Sequence, residues 1–211
     1  MAERMRFAIL ASGRGSNAAA LMDAFARGAV PATLAVVISN REDAPVLARA
    51  ETHGVPALCV QSRGLTRDEH EAALLAALTE RDIDHLLLAG YMRILSRAFL
   101  RTFGGRVLNI HPSLLPEFPG LQAARRQWEA KVPIAGATVH LVDEGVDTGP
   151  PLLMGSIEVR GDEGAEGLTE RILTEVEHVI YPRAVRLFID RMSRSATEPQ
   201  SPLKHRREVH P

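Results

Sequence analysis

The chain of 211 residues is 45% hydrophobic and carries a formal net charge of −1 at pH 7, which suits a single α/β domain and provides no basic field for binding nucleic acid. Its only cysteine, Cys59, excludes an internal disulfide and a metal site built from several thiolates. No apolar run approaches the roughly 20 residues of a membrane span and no signal-type segment precedes the first predicted strand, so we expect a cytoplasmic protein.

Short apolar runs alternate with helical patterns over the first half of the chain. The runs predict strands at 7–11, 34–38, 57–60, 85–89 and 107–111. Helices are predicted from residue 18, over 45–52, from 67 to about 81 and over 97–100. Thr66 and Glu69 form a capping box, Ser96 is a candidate N-cap, and Gly54 follows a helix end. This alternation predicts a Rossmann-like α/β fold, a mostly parallel twisted sheet with helices on both faces.

The pattern changes after Gly120. A helix is predicted over 121–130, and two strands then follow, at 136–142 and 152–159, without a helix between them. Such a pair predicts an antiparallel C-terminal addition to the sheet. Helical spacing resumes at Leu168 and continues to residue 192, past Pro182, which should kink or restart the helix. We therefore expect one domain over 1–192 and a Ser-, Pro- and Arg-rich flexible tail over 193–211.

A glycine-containing loop, Ser12-Gly13-Arg14-Gly15-Ser16-Asn17, joins the first predicted strand to the first helix. Ser16 or Asn17 can cap that helix, whose free backbone N–H groups could bind an anion. The loop is not a P-loop, since no Gly-Lys-Ser/Thr follows, and it lacks the third glycine and the later acidic residue of a dinucleotide fingerprint. Two interpretations remain open, a monophosphate site and a tight turn before a capped helix.

A polar pair ends the fifth predicted strand. Asn109 and His111 are two residues apart, so in an extended backbone their side chains project from the same face. Pro112 and two further prolines then prevent the strand from continuing. The amide can donate a hydrogen bond to a developing oxyanion, and the imidazole can transfer a proton near neutral pH. A lone histidine at a strand end is also compatible with a structural hydrogen bond.

Asp147 lies in a polar, glycine-bearing loop, 143–150, between the two C-terminal strands. From there its carboxylate could reach His111 and raise its basicity, although aspartate is also a common turn former. His140 lies in the middle of a predicted strand and is expected to be a core or pocket histidine. The spacing of His111, His140 and His178 matches no metal-ligand motif, so no metal is expected.

Two stretches resemble the signatures of the folate-dependent formyltransferases. The first is Asn-Ile-His-Pro-Ser-Leu-Leu-Pro at 109–116, followed by Phe118-Pro119-Gly120, and the second is Asp-Glu-Gly-Val-Asp-Thr-Gly-Pro at 143–150. Within this family, the Gly15-Ser16-Asn17 loop and the run Glu-His-Val-Ile-Tyr-Pro at 177–182 are similar to the phosphoribosylglycinamide formyltransferases. The likeness extends over about residues 6–191, nearly the whole chain.

The resemblance implies an enzyme that transfers the formyl group of 10-formyltetrahydrofolate to the amine of N1-(5-phosphoribosyl)glycinamide, or glycinamide ribonucleotide. The products would be formylglycinamide ribonucleotide and tetrahydrofolate, in the de novo purine pathway to IMP. The implied partners are these two small molecules, with the folate as co-substrate, and the implied assembly is a monomer or a homodimer. No metal, nucleic acid or membrane is implied.

The resemblance also assigns site residues. The catalytic positions are Asn109, His111 and Asp147, the substrate phosphate loop is Gly15, Ser16 and Asn17, and the glycinamide-side carboxylate is Glu177. The folate-binding residues are Arg67, Met92, Arg93, Ile94, Leu95 and, again, Asn109. The alternative for Glu177 is a solvated carboxylate on a helix flank, and for 92–95 a plain strand-to-helix connection. Residues 121–125 lack the histidines that some family members carry there, which leaves the local substrate contacts open.

Four other functions fit parts of the sequence. Methionyl-tRNA formyltransferase shares the Ser-Leu-Leu-Pro core but needs a C-terminal RNA-binding domain longer than this tail, whose Lys204-His205-Arg206-Arg207 cluster is only a small basic patch. A formyltetrahydrofolate deformylase usually has an additional N-terminal regulatory domain, whereas the first strand here begins by Arg6. The intact catalytic positions argue against a silent folate- or nucleotide-binding module. A dehydrogenase is the weakest alternative, because the dinucleotide fingerprint is missing.

Overall fold

A computed structural model describes residues 5–197 of the chain. The strands are β1 (Arg6–Ala11), β2 (Thr33–Ser39), β3 (Ala57–Cys59), β4 (His85–Leu88), β5 (Val107–His111), β6 (Ile134–Leu141) and β7 (Pro151–Glu158). The helices are α1 (Ser16–Ala26), α2 (Pro45–Thr52), α3 (Arg67–Thr79), α4 (Arg97–Phe103), α5 (Ala123–Glu129), α6 (Gly164–Arg171) and α7 (His178–Thr197), with a π-helical turn at Ile172–Glu177. Residues 198–211, which hold most of the predicted tail and its basic cluster, lie outside the described residues.

The seven strands form one sheet in the order β3-β2-β1-β4-β5-β6-β7. Strands β1 to β5 are parallel, and β6 and β7 are added antiparallel, so the predicted fold class is confirmed. The chain proceeds outward from β1 to β3 and then returns to place β4 on the other side of β1. The strand order therefore reverses between β1 and β4, and such a switch point leaves a crevice for ligands at the carboxyl ends of the strands.

Apolar residues fill both faces of the sheet. Within β1, Phe7 and Ile9 belong to one buried cluster, and Ala8 and Leu10 belong to the other. Helices α1, α2, α6 and α7 contribute to the first cluster, and α3 and α4 contribute to the second. A parallel strand covered on both faces has no polar side, which explains why the apolar runs of the first half are continuous rather than alternating.

The predicted helix signals are observed at α3 and α4. Thr66 Oγ accepts a hydrogen bond from the N–H of Glu69, and the Glu69 carboxylate accepts one from the N–H of Thr66, which closes the capping box. Ser96 caps α4 by accepting from the N–H of Phe99 at 3.1 Å. Helix α5 is shorter than the predicted 121–130, because Gln122 adopts a φ of 56° and the helix begins only after it.

The C-terminal helical region is longer than predicted. Helix α6 begins four residues before the expected start at Leu168, and α7 ends at Thr197, five residues after the expected end. Pro182 lies inside the continuous helix α7, so the helix does not restart there as predicted. The irregular part of the region is the π-helical turn, which ends five residues before Pro182. Residues 193–197, the first part of the predicted tail, are helical.

Candidate active site

Asn109 and His111 lie at the end of β5, and the loop between β6 and β7 brings Asp147 to them. Nδ1 of His111 lies 3.2 Å from Oδ2 of Asp147. His111 is buried, and Asn109 is half-buried on the same face of the strand. Three side chains that were predicted from separate parts of the sequence therefore meet at one place.

Both ring nitrogens of His111 face oxygen acceptors. Nδ1 faces Asp147, and Nε2 lies 2.9 Å from the carbonyl oxygen of Phe118 in the loop that follows β5. A neutral imidazole has one N–H and can donate to only one of these oxygens, whereas an imidazolium can donate to both. Either tautomer of His111 therefore finds an oxygen acceptor for its N–H.

Asp147 is held as a carboxylate. Its side chain is 11% exposed, and Oδ2 accepts a hydrogen bond of 2.8 Å from the N–H of Gly120. Burial by itself raises the pKa of this carboxyl, but His140, the Gly120 N–H and the charge of His111 together lower the pKa below its ordinary value. An ionised Asp147 thus faces His111 at neutral pH. Its backbone φ of 56° is unusual for a residue other than glycine.

His140, predicted as a core or pocket histidine, is buried and contacts this site. It pairs with Asn109 across β5 and β6, and its Nε2 lies 3.2 Å from Asn109 Nδ2. Nδ1 donates to the carbonyl oxygen of Leu141 at 2.9 Å, so in the neutral ring Nε2 is the acceptor. Nε2 also lies 3.6 Å from Asp147 Oδ1, an electrostatic contact longer than a hydrogen bond. Only the pairing register between the strands could have revealed this role.

Hydrogen bonds and close packing hold the β6–β7 loop in one conformation. Oδ1 of Asp143 accepts hydrogen bonds from the N–H of Gly145 at 3.1 Å and from the hydroxyl of Thr148 at 2.7 Å. A Cβ on Gly149 would overlap the carbonyl oxygen of Leu141, so this position accepts only glycine. Because these residues flank Asp147, they determine where its carboxylate lies.

The Gly15-Ser16-Asn17 loop follows β1 at the switch point and starts α1. The prediction that Ser16 or Asn17 caps this helix is wrong, because the N-cap is Gly15 in the left-handed conformation, with φ 75° and ψ 32°. Any side chain at Gly15 would overlap Val46 at the start of α2. A glycine N-cap provides no side-chain acceptor, so the first backbone N–H groups of α1 remain available to an anion.

Glu177 ends the π-helical turn and points into the molecule. It is 6% exposed, so the alternative of a solvated carboxylate on a helix flank is wrong. Oε2 accepts a hydrogen bond of 2.8 Å from Asn17 Nδ2. Burial raises the pKa of Glu177 to about 7, and the hydrogen bond from Asn17 only partly opposes this. Oδ1 of Asn17 is buried and finds no hydrogen-bond partner among residues 5–197.

The sequence profile of formyl transferases matches residues 5–185 of the chain. The chain belongs to the formyl transferase family. The predicted family resemblance is thereby confirmed.

Three relatives show how far the likeness of this formyl transferase extends. The phosphoribosylglycinamide formyltransferase of Bacillus subtilis is 36% identical over 182 residues, which cover 86% of this chain and 93% of the relative. The crystal structure of glycinamide ribonucleotide transformylase 1 from Symbiobacterium toebii superposes with a TM-score of 0.86 at 44% identity, over 90% of each chain. The trifunctional purine biosynthetic protein adenosine-3 of Drosophila melanogaster is 40% identical over 89% of this chain, which spans only 14% of the length of that protein.

The predicted folate-side residues of the formyl transferase lie on two neighbouring elements. Arg67 is the exposed first residue of α3, and Met92 to Leu95 lie in the connection between β4 and α4. Met92 is 66% exposed and Ile94 is 68% exposed, whereas Leu95 is buried in the core. Met92 and Arg93 also line a cavity of about 690 Å³ at the carboxyl ends of β1, β2 and β3. Only the backbone of Leu95 remains for contact with a ligand.

No group of three or more His, Cys, Asp or Glu side chains within residues 5–197 of this formyl transferase is arranged to hold a metal ion. None of the helices in the same range combines the length and apolar character that crossing a bilayer requires.

Proposed function

We propose that this chain is a phosphoribosylglycinamide formyltransferase, which transfers a formyl group from 10-formyltetrahydrofolate to the amine of glycinamide ribonucleotide in de novo purine biosynthesis. The observation that carries the proposal is the meeting of Asn109, His111 and Asp147 in a member of the formyl transferase family. The names of the Bacillus subtilis and Symbiobacterium toebii relatives support this choice of substrate.

The proposed reaction is a direct acyl transfer. The amine nitrogen of glycinamide ribonucleotide attacks the formyl carbon and forms a new carbon–nitrogen bond, while the bond from that carbon to N10 of the folate breaks. The attacking amine loses one proton, and N10 of the departing tetrahydrofolate gains one, so charge and atoms balance without a covalent enzyme intermediate. Much of the rate comes from holding the two substrates in attack geometry.

Three side chains carry the proposed chemistry. Asn109 has a second N–H on Nδ2 besides the one that faces His140, and this N–H can donate to the oxyanion of the tetrahedral intermediate. Protonated His111 also stabilises that oxyanion, after its Nε2 turns from the Phe118 carbonyl toward the substrate. Asp147 keeps His111 basic and, through water, helps to move the proton from the amine to the folate nitrogen.

The substrate phosphate is proposed to bind Gly15, Ser16 and Asn17 at the start of α1, where the helix dipole favours an anion. Glu177 is proposed to face the glycinamide portion, because its carboxylate lies 2.8 Å from Asn17 and so adjoins the phosphate loop. The folate is proposed to bind Arg67, the segment 92–95 and Asn109.

We propose the cytoplasm as the compartment, in line with a chain that has one cysteine and two polar small-molecule substrates. The chemistry requires no metal ion. We propose a monomer or a homodimer as the working form, which light scattering on the purified chain would distinguish.

The proposed function is tested by supplying the purified full chain with 10-formyltetrahydrofolate and one acceptor at a time. The acceptors are glycinamide ribonucleotide, initiator methionyl-tRNA and water alone, and mass spectrometry identifies the formylated product. We expect tetrahydrofolate to form only with glycinamide ribonucleotide. Release without an acceptor would indicate a deformylase, formylated tRNA would indicate the tRNA enzyme, and no release with any acceptor would indicate a binding module.

A further inference from the structure

The segment 91–96 joins β4 to α4 without helix or strand structure, yet it carries four of the proposed folate-binding residues. The side chains of Met92 and Ile94 are mostly exposed, so the core does not hold them. A segment of this kind keeps one conformation only if other contacts hold its backbone. Such contacts are present at both ends and near the middle.

Helix α3 holds both ends of the segment through two consecutive buried residues. Nε2 of His70 lies 2.7 Å from the hydroxyl of Tyr91. The carboxylate of Glu71 accepts hydrogen bonds from the N–H of Ser96, at 2.7 Å, and from the Ser96 hydroxyl. His70 is 2% exposed and Glu71 is 5% exposed.

These two polar residues occupy positions on α3 where an apolar side chain would serve the core better. His70 lies one helical turn from Leu74, which is fully buried in the same helix. Burying an imidazole and a carboxylate costs free energy unless partners compensate. The partners of His70 Nε2 and of the Glu71 carboxylate are all in the segment 91–96, whereas Nδ1 of His70 has no hydrogen-bond partner among residues 5–197. Their placement is therefore explained by the segment and not by the packing of α3.

A chain of buried hydrogen bonds holds the middle of the segment from the opposite side. The Ser12 hydroxyl accepts from the N–H of Met92 at 2.8 Å and donates to Asn40 Oδ1 at 2.6 Å. Asn40 Nδ2 then donates to the Ser62 hydroxyl at 3.0 Å. This chain connects the carboxyl ends of β1, β2 and β3 to the segment, so its backbone is fixed before any ligand arrives.

We propose that His70 and Glu71 are positioning residues for the folate co-substrate, which hold the segment 91–96 in the conformation that binds it. The proposal rests on the proposed function. Without these hydrogen bonds, folate binding must also order the segment, which weakens affinity. Loss of one such bond should raise KM for 10-formyltetrahydrofolate roughly five- to tenfold. KM for glycinamide ribonucleotide should change less than twofold, because Gly15 and Glu177 lie on other elements.

The test compares five variants of the full chain. His70→Phe and Tyr91→Phe each remove the same hydrogen bond while keeping a ring, and their double variant should raise KM for the folate no more than either single change. Glu71→Ala removes both bonds to Ser96, whereas Glu71→Gln retains an acceptor oxygen and should restore most of the affinity. For each variant KM is measured separately for the two substrates, with kcat at saturation, and hydrogen exchange of the amides of 91–96 is measured in the free protein.

Leu74→Ala is the matched control, since it removes core packing from the same helix but none of the hydrogen bonds that hold the segment. We expect it to lower Tm but to leave KM for the folate and the exchange of 91–96 unchanged. Equal rises in both KM values, additive effects in the double variant, or exchange that follows Tm in all variants would overturn the proposal. An inactive wild-type protein would instead contradict the proposed function, and unchanged exchange in His70→Phe would still refute the positioning role.

Discussion

Two carboxyl groups of the proposed site differ in the charge that they carry at neutral pH. The pKa of Asp147 is lowered, since the neighbouring histidines and the Gly120 N–H outweigh its burial. The pKa of Glu177 is raised to about 7 by burial, which its hydrogen bond from Asn17 opposes only in part. Asp147 is therefore ionised at pH 7, whereas Glu177 is divided between its two forms. A carboxyl group that titrates near pH 7 can exchange a proton with an amine substrate at little free-energy cost.

We expect Asp147→Asn to lower kcat by at least about 100-fold, the usual scale for loss of a group that supports proton transfer. The amide has the size of the carboxylate and can still accept the Gly120 N–H, but it presents no negative charge to the imidazole of His111. Steady-state kinetics at neutral pH measures the effect.

The matched control is Asp143→Asn in the same loop. An asparagine there keeps the oxygen that accepts from Gly145 and Thr148, so we expect its kcat to remain near that of the wild type. If Asp147→Asn and Asp143→Asn were equally active, the role proposed for Asp147 would be wrong.

Among the elements, the start of α1 depends most strongly on a single residue. Gly15 has a positive φ of 75°, which an L side chain adopts only at a cost of about 1 kcal/mol. The space that a side chain would need is filled by Val46. The positive φ and the lack of space for a side chain both apply at Gly15, which begins the proposed phosphate loop. The same glycine therefore allows the shape of this loop and the close packing of α1 on α2.

We expect Gly15→Ala to reduce the free energy of unfolding by about 2–4 kcal/mol, as the sum of backbone strain and overpacking. We also expect it to raise KM for glycinamide ribonucleotide, because the first turn of α1 must move. Gly13→Ala is the control in the same loop, since nothing lies within 4 Å of its added Cβ. Urea denaturation that gave both variants the same stability would contradict this account.

Local signals predicted the elements better than they predicted the site. Strands β1 to β5 were predicted from apolar runs, and the caps at Thr66 and Ser96 from residues within one helical turn. These signals are formed by residues that are close in the sequence, so they can be identified without the fold. Gly15 as an N-cap depends on Val46, which only the fold brings near. The part played by His140 depends on the register of β6 against β5, which is set by pairing over a distance. Spacing and residue type made Asn109, His111 and Asp147 candidates but left structural roles open, and the family resemblance was what assigned them catalytic roles.

At the scale of the whole molecule, two buried groups oppose each other in how stability depends on pH. Burial lowers the pKa of His85 to about 4, and its ring lies between Phe7 and Phe188 at centroid distances of 4.8 and 5.4 Å. Neither of its ring nitrogens has a hydrogen-bond partner within the described part of the chain. Below pH 6.5 the unfolded chain binds a proton that native His85 refuses, so stability falls from pH 6.5 toward 4.

Glu177 has the opposite effect on stability when the pH changes. Its native pKa of about 7 lies above the value of 4.5 for a free glutamate, so the native state keeps a proton that the unfolded chain has released. The contribution of Glu177 to stability therefore falls as pH rises from 4.5 to 7 and stays low above that. For these two groups together, stability is highest at mildly acidic pH.

We expect His85→Leu to abolish the loss of stability between pH 6.5 and 4, because leucine buries a similar volume without a titratable ring. The free energy of unfolding of this variant should exceed that of the wild type by about 3 kcal/mol near pH 4, and the difference should vanish above pH 7. Glu177→Gln is the complementary variant, with a gain above pH 7 and none near pH 4. Chemical denaturation across pH 4 to 8 measures both, and a gain for His85→Leu that did not depend on pH would contradict the assignment.

The number of residues in the π-helical turn sets the rotation of α7 about its axis relative to α6. One residue advances an α-helix by about 100°, so a change in the number of residues within Ile172–Glu177 would turn α7 relative to α6. Glu177 and Tyr181 would then both turn relative to α6, so Glu177 could no longer meet Asn17 and Tyr181 could no longer donate its hydroxyl to the carbonyl oxygens of Leu88 and Leu108. The number of residues in this turn is therefore constrained as strongly as the identity of its buried members, and inserting or deleting one residue there should impair both stability and the proposed site.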